Sequence, residues 1–161
     1  MKKIKNYIKE GNFVAVSPDT TVEKAVKEYT EKKLGYALIL DKGSIAGIFT
    51  ENDLSKRIIA VDKDVKKTTI GEVMTKNPVS VDWNTDIDSC MFIMMRNNFK
   101  HILIRDNDGK IFAVADFRNI LKAKVEEVNE MNEASNIFEA TNLIDRERDT
   151  IKDSLKEYQS N

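Results

Sequence analysis

Thr50 and Asp53 stand three residues apart in Gly47-Ile48-Phe49-Thr50-Glu51-Asn52-Asp53-Leu54, placing a hydroxyl and a carboxylate where an apolar run gives way to an amphipathic one. Ile45, Ile48 and Phe49 supply β-favouring bulk before the junction, and Leu54, Ile58 and Ile59 recur at helical spacing after it. The stretch reads as strand, turn, helix. Thr50 falls at the N-cap and Asp53 three residues on, beside backbone N–H groups that a helix cannot satisfy internally. Two chemistries are open to such a pair. It can close its own helix as a capping box, or it can offer N–H groups, a hydroxyl and a carboxylate to a ligand bearing phosphate and ribose.

The elements that must position this pair follow from the pattern on either side. Ile4, Tyr7 and Ile8 recur at helical spacing and then break at Gly11-Asn12, predicting a short lead-in helix at best. Phe13-Val14-Ala15-Val16 reads as a strand, Ser17-Pro18-Asp19-Thr20 as a turn, and Val22, Ala25, Val26 and Tyr29 as one face of a helix. Leu38-Ile39-Leu40 is a second strand, Asp41-Lys42-Gly43-Ser44 a hairpin turn, and Ile45 to Phe49 the strand that feeds the junction. The order is β-α-β-β-α.

That order then recurs. Val79-Ser80-Val81 falls on Val14-Ala15-Val16 at an offset of 65 residues, with Ile87 on Val22, Cys90 on Ala25, Met94 on Tyr29 and Leu103-Ile104 on Leu38-Ile39. After one inserted residue in the turn Asp106-Asn107-Asp108-Gly109, Ile111 to Ile120 falls on Ile45 to Leu54 at an offset of 66. Two copies of a unit too small to bury its own sheet should pack face to face as a pseudo-symmetric pair. The expected domains are residues 1–62 with the lead-in, residues 63–124, and a helical extension over 125–161, the copies being joined by Val61 to Lys76.

From about Leu121 onward the chain has no proline or glycine and is dense in Glu, Lys, Asn and Arg, which predicts one long helix. Leu121, Val125, Val128 and Met131 form one apolar stripe, while Ile137, Ile144, Ile151 and Tyr158 recur every seven residues on another. Coiled-coil pairing and a polar helix that frays beyond about residue 140 are both compatible with stripes this narrow. In the second copy, Ile87, Cys90, Met91, Met94 and Met95 share one helical stripe, and Phe92 and Ile93 point away from it where the first copy has Lys27 and Glu28. A helix apolar nearly all round must bury a second face, against another subunit or under the C-terminal helix.

Composition removes several classes of function. With 161 residues, 41% hydrophobic and 33% charged, the chain can build a sizeable core, and 26 basic against 27 acidic residues leave no field to attract nucleic acid or an anionic membrane. No apolar run approaches the roughly 20 residues that span a bilayer, and Met1-Lys2-Lys3 is not followed by a signal-peptide core. Cys90 is the only cysteine, so no internal disulfide forms and a reducing, cytoplasmic setting is expected. His101 is the only histidine. With no partner at metal-ligand spacing and no nucleophile–base set or Gly-rich phosphate loop, neither a metal site nor catalysis is expected.

The tandem order, with Gly-Ile-Phe-Thr-x-x-Asp closing the first copy and Val-Met-Thr-x-Asn-Pro-Val opening the second, resembles the paired cystathionine-β-synthase (CBS) domains of a Bateman module over about residues 4 to 124. The resemblance implies an α/β fold of two β-α-β-β-α repeats packed sheet to sheet, with two clefts between them that take adenine nucleotides, S-adenosylmethionine or cyclic dinucleotides. Carried onto this chain, the first cleft joins Thr50, Asp53, Gly35 and Tyr36 with Asn77, Pro78 and Val79. Asp53 would accept from both ribose hydroxyls, Thr50 and the helix N-terminus would meet phosphate, and Lys56 or Arg57 would add positive charge. The weaker second cleft would use His101, Asp116, Arg118 and Asn119 with Asn12, Phe13 and Val14. There Asp replaces the family's Ser or Thr and Asn replaces its Asp, so a phosphate would be repelled unless His101 or Arg118 offsets the charge. Because the second copy keeps a cap without a carboxylate at its third position, a cap alone suffices to start this helix, and Asp53 is free to serve a ligand. The expectation is a non-catalytic sensor of AMP, ADP or ATP, or of S-adenosylmethionine, dimerising through Phe92 and Ile93 and acting on an effector protein through the C-terminal helix. The alternative is a dimerising interaction module with degenerate pockets.

Overall fold

The computed structural model describes residues 3–11 and 13–159, with side chains up to 139 and at 141, 142, 145 and 146. Twelve elements follow one another: β1 (Ala15–Val16), α1 (Val22–Glu31), β2 (Tyr36–Asp41), β3 (Ser44–Thr50), α2 (Glu51–Arg57), α3 (Ile70–Val73), β4 (Thr75–Lys76), β5 (Ser80–Asp82), α4 (Ile87–Asn97), β6 (His101–Arg105), β7 (Ile111–Asp116) and α5 (Phe117–Gln159). The expected β-α-β-β-α order is present twice. Two sheets carry it, one ordered β1-β2-β3-β4 and the other β5-β6-β7, each with a parallel first pair and an antiparallel hairpin. The first hairpin closes through Lys42 (φ 47°) and Gly43 (φ 81°), the left-handed pair that a two-residue turn between twisted strands requires.

Side-chain alternation along β2 divides the core. Ala37 and Ile39 face the helices and pack with Val22, Ala25, Tyr29, Phe49, Ile58, Ile70 and Val73. Tyr36 and Leu38 point the other way, joining Ile48 of β3 and, from the second copy, Leu103 of β6 and Val114 of β7. That second cluster is the seam between the repeats. A β2 strand buried on both faces explains why its sequence is continuously apolar rather than alternating.

Three expectations change here. The lead-in is not a helix of the first repeat: Ile4–Asn6 form a single 3-10 turn, and Ile4, fully buried, donates to Thr85 O (2.8 Å) of the second repeat. Ile70 does the same for the first repeat, fully buried and donating to Thr20 O (2.8 Å). Each repeat is therefore finished by the segment that precedes the other. Strands β1 and β5 begin at Ala15 and Ser80 rather than Phe13 and Val79, although the carbonyls of Val14 and Val79 already accept from Leu38 N and Leu103 N of their own sheets. Met95, placed by period on the buried stripe, is exposed beside Phe92; Ile87, Cys90 and Met94 are buried, and Met91 and Ile93 are half-buried.

From Leu121 the chain forms a second unit, the body of α5. The helix starts at Phe117, four residues before the apolar stripe, since Asp116 ends β7 and opens it. Leu121, Val125, Val128, Met131, Ile137 and Phe138 are exposed along it. The side chains of Ile144, Ile151 and Tyr158 in the seven-residue stripe lie outside the described ones.

The crossing segments attach by short pairings: β4 lies against β3 with Gly47 opposite Lys76 and Ile48 opposite Thr75, and Gly11 bridges Ala113 in the other half. A Cβ at Gly47 would stand 2.5 Å from Met74 Sδ and 2.8 Å from Thr75 O, so only glycine admits β4. Gly47→Ala is expected to cost about 1–3 kcal/mol in urea denaturation, the range for forced overpacking. An unchanged midpoint would mean that β4 does not depend on this approach.

Candidate functional site

At the first junction β3 ends on Thr50, whose extended backbone (φ −125°, ψ 167°) turns the chain into α2. Thr50 N donates to Asp53 Oδ2 at 2.9 Å, the Thr50 hydroxyl donates to the same oxygen at 2.8 Å, and Asp53 N donates back to Thr50 Oγ1 at 3.3 Å. This is a complete capping box. The other carboxylate oxygen, Oδ1, accepts from the Thr75 hydroxyl at 3.2 Å and faces Arg57 Nε at 3.4 Å. Asp53 retains only 9% side-chain exposure. Its carboxylate thus serves its own helix and the β4 segment.

The neighbouring groups are also engaged. Glu51 N donates to Gly35 O at 3.0 Å, so two of the first three amides of α2, those of Glu51 and Asp53, already have partners. The expectation of free N–H groups for phosphate is corrected accordingly. Arg57 is likewise committed, its Nη1 donating to Val73 O and Met74 O at 2.8 Å each, while Lys56 is exposed. A Cβ at Gly35 would stand 3.0 Å from Glu51 Cδ, the movable end of an exposed side chain. Tyr36 pairs with Thr50 in the β2–β3 register. Asn77, in the left-handed region at φ 51°, follows β4 two residues after Thr75, then comes half-buried Pro78 and Val79, 42% exposed. Thr75 is the residue that sequence reasoning passed over. It lies inside the Val-Met-Thr run, but nothing local reveals that β4 carries it to Asp53.

The second junction is built alike from different atoms. Asp116 N donates to Asn119 Oδ1 at 3.0 Å and Asn119 N donates to Asp116 Oδ1 at 2.7 Å, so an amide oxygen does here what the Asp53 carboxylate does in the first copy. The inference that a cap alone starts this helix is therefore corrected: both helices have a full box. Arg118 Nη2 donates to Asp116 Oδ2 at 3.2 Å and offsets its charge. Phe13 packs against the seam, Val14 is buried with its carbonyl accepting from Leu38 N at 2.8 Å, and Asn12 lies outside the described residues.

His101 and Tyr36, equivalent positions in the two copies, meet at the seam with ring centroids 4.9 Å apart. Burial pushes the Tyr36 hydroxyl up to about 12, helped by Asp116. Burial also holds His101 below its ordinary value; Asp116 and Glu51 oppose that shift, and Lys100 and Arg118 reinforce it. Cys90, buried in α4, is pushed up to about 11, which keeps it a thiol rather than a nucleophile. Among the described residues no group of three or more His, Cys, Asp or Glu stands where it could hold a metal ion, and no helix is long and apolar enough to cross a membrane.

Two interlocked β-α-β-β-α repeats with a capped strand-to-helix junction in each define a tandem domain pair. The chain belongs to the CBS-domain family, whose model matches residues 4–60 and again 70–126. It is 32% identical over 110 residues to the CBS domain-containing protein CBSCBSPB1 of Arabidopsis thaliana, covering 68% of this chain and 20% of that protein. It is 30% identical over 109 residues to a 17.7 kDa protein of Acidianus ambivalens, covering 67% of this chain and 65% of that one. The chain thus spans between one fifth and about two thirds of these relatives' lengths. Among solved structures, the CBS-domain protein ATU1752 of Agrobacterium tumefaciens is 27% identical with a TM-score of 0.69 over 76% of this chain and 98% of its own. CBSX2 in complex with AMP (22% identity, TM-score 0.65, 78% of this chain and 98% of that one) shares the fold. PAE2072 of Pyrobaculum aerophilum complexed with AMP (17% identity, TM-score 0.65, 73% and 88%) does so too.

The lowered His101 value has a measurable consequence. The unfolded chain takes up this proton near pH 6.5 and the folded chain only below it, so stability is full above about 6.5 and declines as pH falls through that window. The melting temperature is expected to drop between pH 7 and pH 5, and His101→Phe, which keeps a ring against Tyr36, should flatten that part of the curve. An unaltered slope would place its origin elsewhere.

Proposed function

We propose that this chain is a non-catalytic regulatory module that binds an adenine nucleotide of the AMP, ADP and ATP class in the cleft beside Thr50 and Asp53. Gly35 and Tyr36 line it from one repeat, and Asn77, Pro78 and Val79 from the approach to the other. The observation that carries this reading is the β4 crossing, which brings the segment before Asn77 to within hydrogen-bond distance of Asp53 through Thr75. The crossing thereby sets the approach to Asn77, Pro78 and Val79 beside a carboxylate whose oxygens a nucleoside's sugar hydroxyls can address. AMP complexes of CBSX2 and PAE2072, which have this fold, agree with the ligand class. S-adenosylmethionine is the alternative small molecule, since it presents the same adenosine without a phosphate.

The module acts by repeat packing. A ligand that prefers one arrangement of the seam shifts the population toward it, and α5 carries the change to an effector protein. We place a homodimer contact at Phe92 and Met95, exposed at 62% and 66%, with half-buried Ile93 beside them, in a cytoplasmic protein. A monomer mass in light scattering would remove that part. A second reading, a dimerising scaffold with closed pockets, is favoured by the full engagement of both Asp53 oxygens.

Asn119 suggests how to separate capping from binding. Asp53→Asn keeps an oxygen for the Thr50 amide but gives up the Thr75 and Arg57 contacts at the other oxygen, so a stability loss of about 1–3 kcal/mol is expected and binding is read on protein shown to be folded. Loss of the charge should weaken AMP by about tenfold or more in isothermal titration. Equal affinity in the variant would overturn the ribose role of Asp53. Absence of adenine-nucleotide binding by both the wild-type chain and Thr75→Val would favour the scaffold.

A further inference from the structure

We infer that Thr75 and Arg57 form a latch that competes with a ligand's sugar hydroxyls for Asp53, so that binding at this cleft releases the inter-repeat segment from the first repeat. The inference rests on the nucleotide reading above. An ionised carboxylate offers about four lone-pair positions. Oδ2 takes the Thr50 amide at 2.9 Å and the Thr50 hydroxyl at 2.8 Å, while Oδ1 takes the Thr75 hydroxyl at 3.2 Å and Arg57 Nε at 3.4 Å. A sugar diol donating two hydrogen bonds must displace some of these donors. The Oδ2 pair is shorter and belongs to the cap of the same helix. The Oδ1 pair is longer, and Thr75 reaches it from outside the repeat's helix, so Oδ1 is where the exchange occurs.

What the exchange loosens is set by where the ties lead. Arg57 holds the carbonyls of Val73 and Met74 at 2.8 Å, and Thr75 lies in β4, which pairs with β3 at only two positions. Just before them Ile70 and Gly71 anchor the same segment by donating to Thr20 O at 2.8 Å and Pro18 O at 2.9 Å. The ties over residues 70–76 therefore bind the stretch between repeats to the first repeat, and the Asp53 contact is the one among them that a ligand can contest. The second copy has no such latch. Glu10 stands at the position equivalent to Thr75 and Ala123 at that of Arg57, offering neither hydroxyl nor guanidinium. The two junctions differ less in their caps than in this contact.

Removing the internal competitor should therefore strengthen binding, the reverse of removing an ordinary pocket residue. In isothermal titration with AMP, Thr75→Val is expected to bind about three- to tenfold tighter than the wild type, with rescue of the wild-type affinity by Thr75→Ser, which restores the hydroxyl. Thermal melts followed by circular dichroism establish that each variant folds, and Thr75→Ala provides a second route should valine disturb β4. Binding by Thr75→Val alone, with none detectable in the wild type, supports the latch in its strongest form. If the wild type binds and the hydroxyl-free variants bind equally or more weakly, the latch is overturned while the nucleotide reading stands. If no variant and no wild-type protein binds AMP, ADP or ATP, the nucleotide reading itself fails and takes the latch with it.

Discussion

The structure depends on two backbone crossings in which the segment before each repeat is built into the other. At one of them β4 lies so close to β3 that a side chain at Gly47 would occupy the space of Met74 and Thr75. A three-stranded sheet with one or two helices has too little interior to stand alone. Exchange of lead segments solves this twice, with Ile4 and Ile70 as equivalent buried anchors and Leu38, Ile48, Leu103 and Val114 as the shared seam. The same crossing has a chemical result. It brings a hydroxyl from between the repeats to a carboxylate at the head of α2, at 3.2 Å.

In the proposed reading, capping and ligand recognition draw on the same atoms, the Asp53 oxygens that the capping box already uses. A carboxylate at the third helical position satisfies orphan donors of the helix and simultaneously presents acceptors to anything entering beside it. In the second copy Asn119 performs only the first task, with an uncharged oxygen that leaves Asp116 to Arg118. The pseudo-symmetric pair thus shares an element order but differs in chemistry at its two junctions. A regulatory domain gains from this arrangement, because a ligand can bias repeat packing only if its binding changes contacts that hold the repeats in one arrangement.

Much of this was legible in the sequence, for reasons that differ by level. The duplicated order shows in the offsets of 65 and 66 because both copies keep the same alternation and helical period, and the caps at Thr50 and Asp116 are local signals of residue type. The exchange of lead segments was not legible, since an isolated Ile4 or Ile70 carries no mark of which repeat will bury it. Nor was the role of Arg57, which reads as a free cation near a phosphate and instead holds two carbonyls 16 and 17 residues away. The equivalence of Asn119 and Asp53 as box partners was hidden by weighing charge where only an acceptor oxygen was needed. Met95 shares the buried stripe's face by helical period yet is exposed, because period assigns a face and not the width of what covers it.

The functional account reduces to one contact, a sugar diol donating to the Asp53 carboxylate, and that contact can be isolated on the ligand rather than the protein. A ligand that binds the folded chain raises its melting temperature, more so the tighter it binds at a given concentration. Comparing AMP with its 2′,3′-dideoxy analogue, which keeps base and phosphate but has no hydroxyl to donate, tests the contact directly. The account predicts a clear upward shift with AMP and little or none with the analogue. Equal shifts from the two would contradict it.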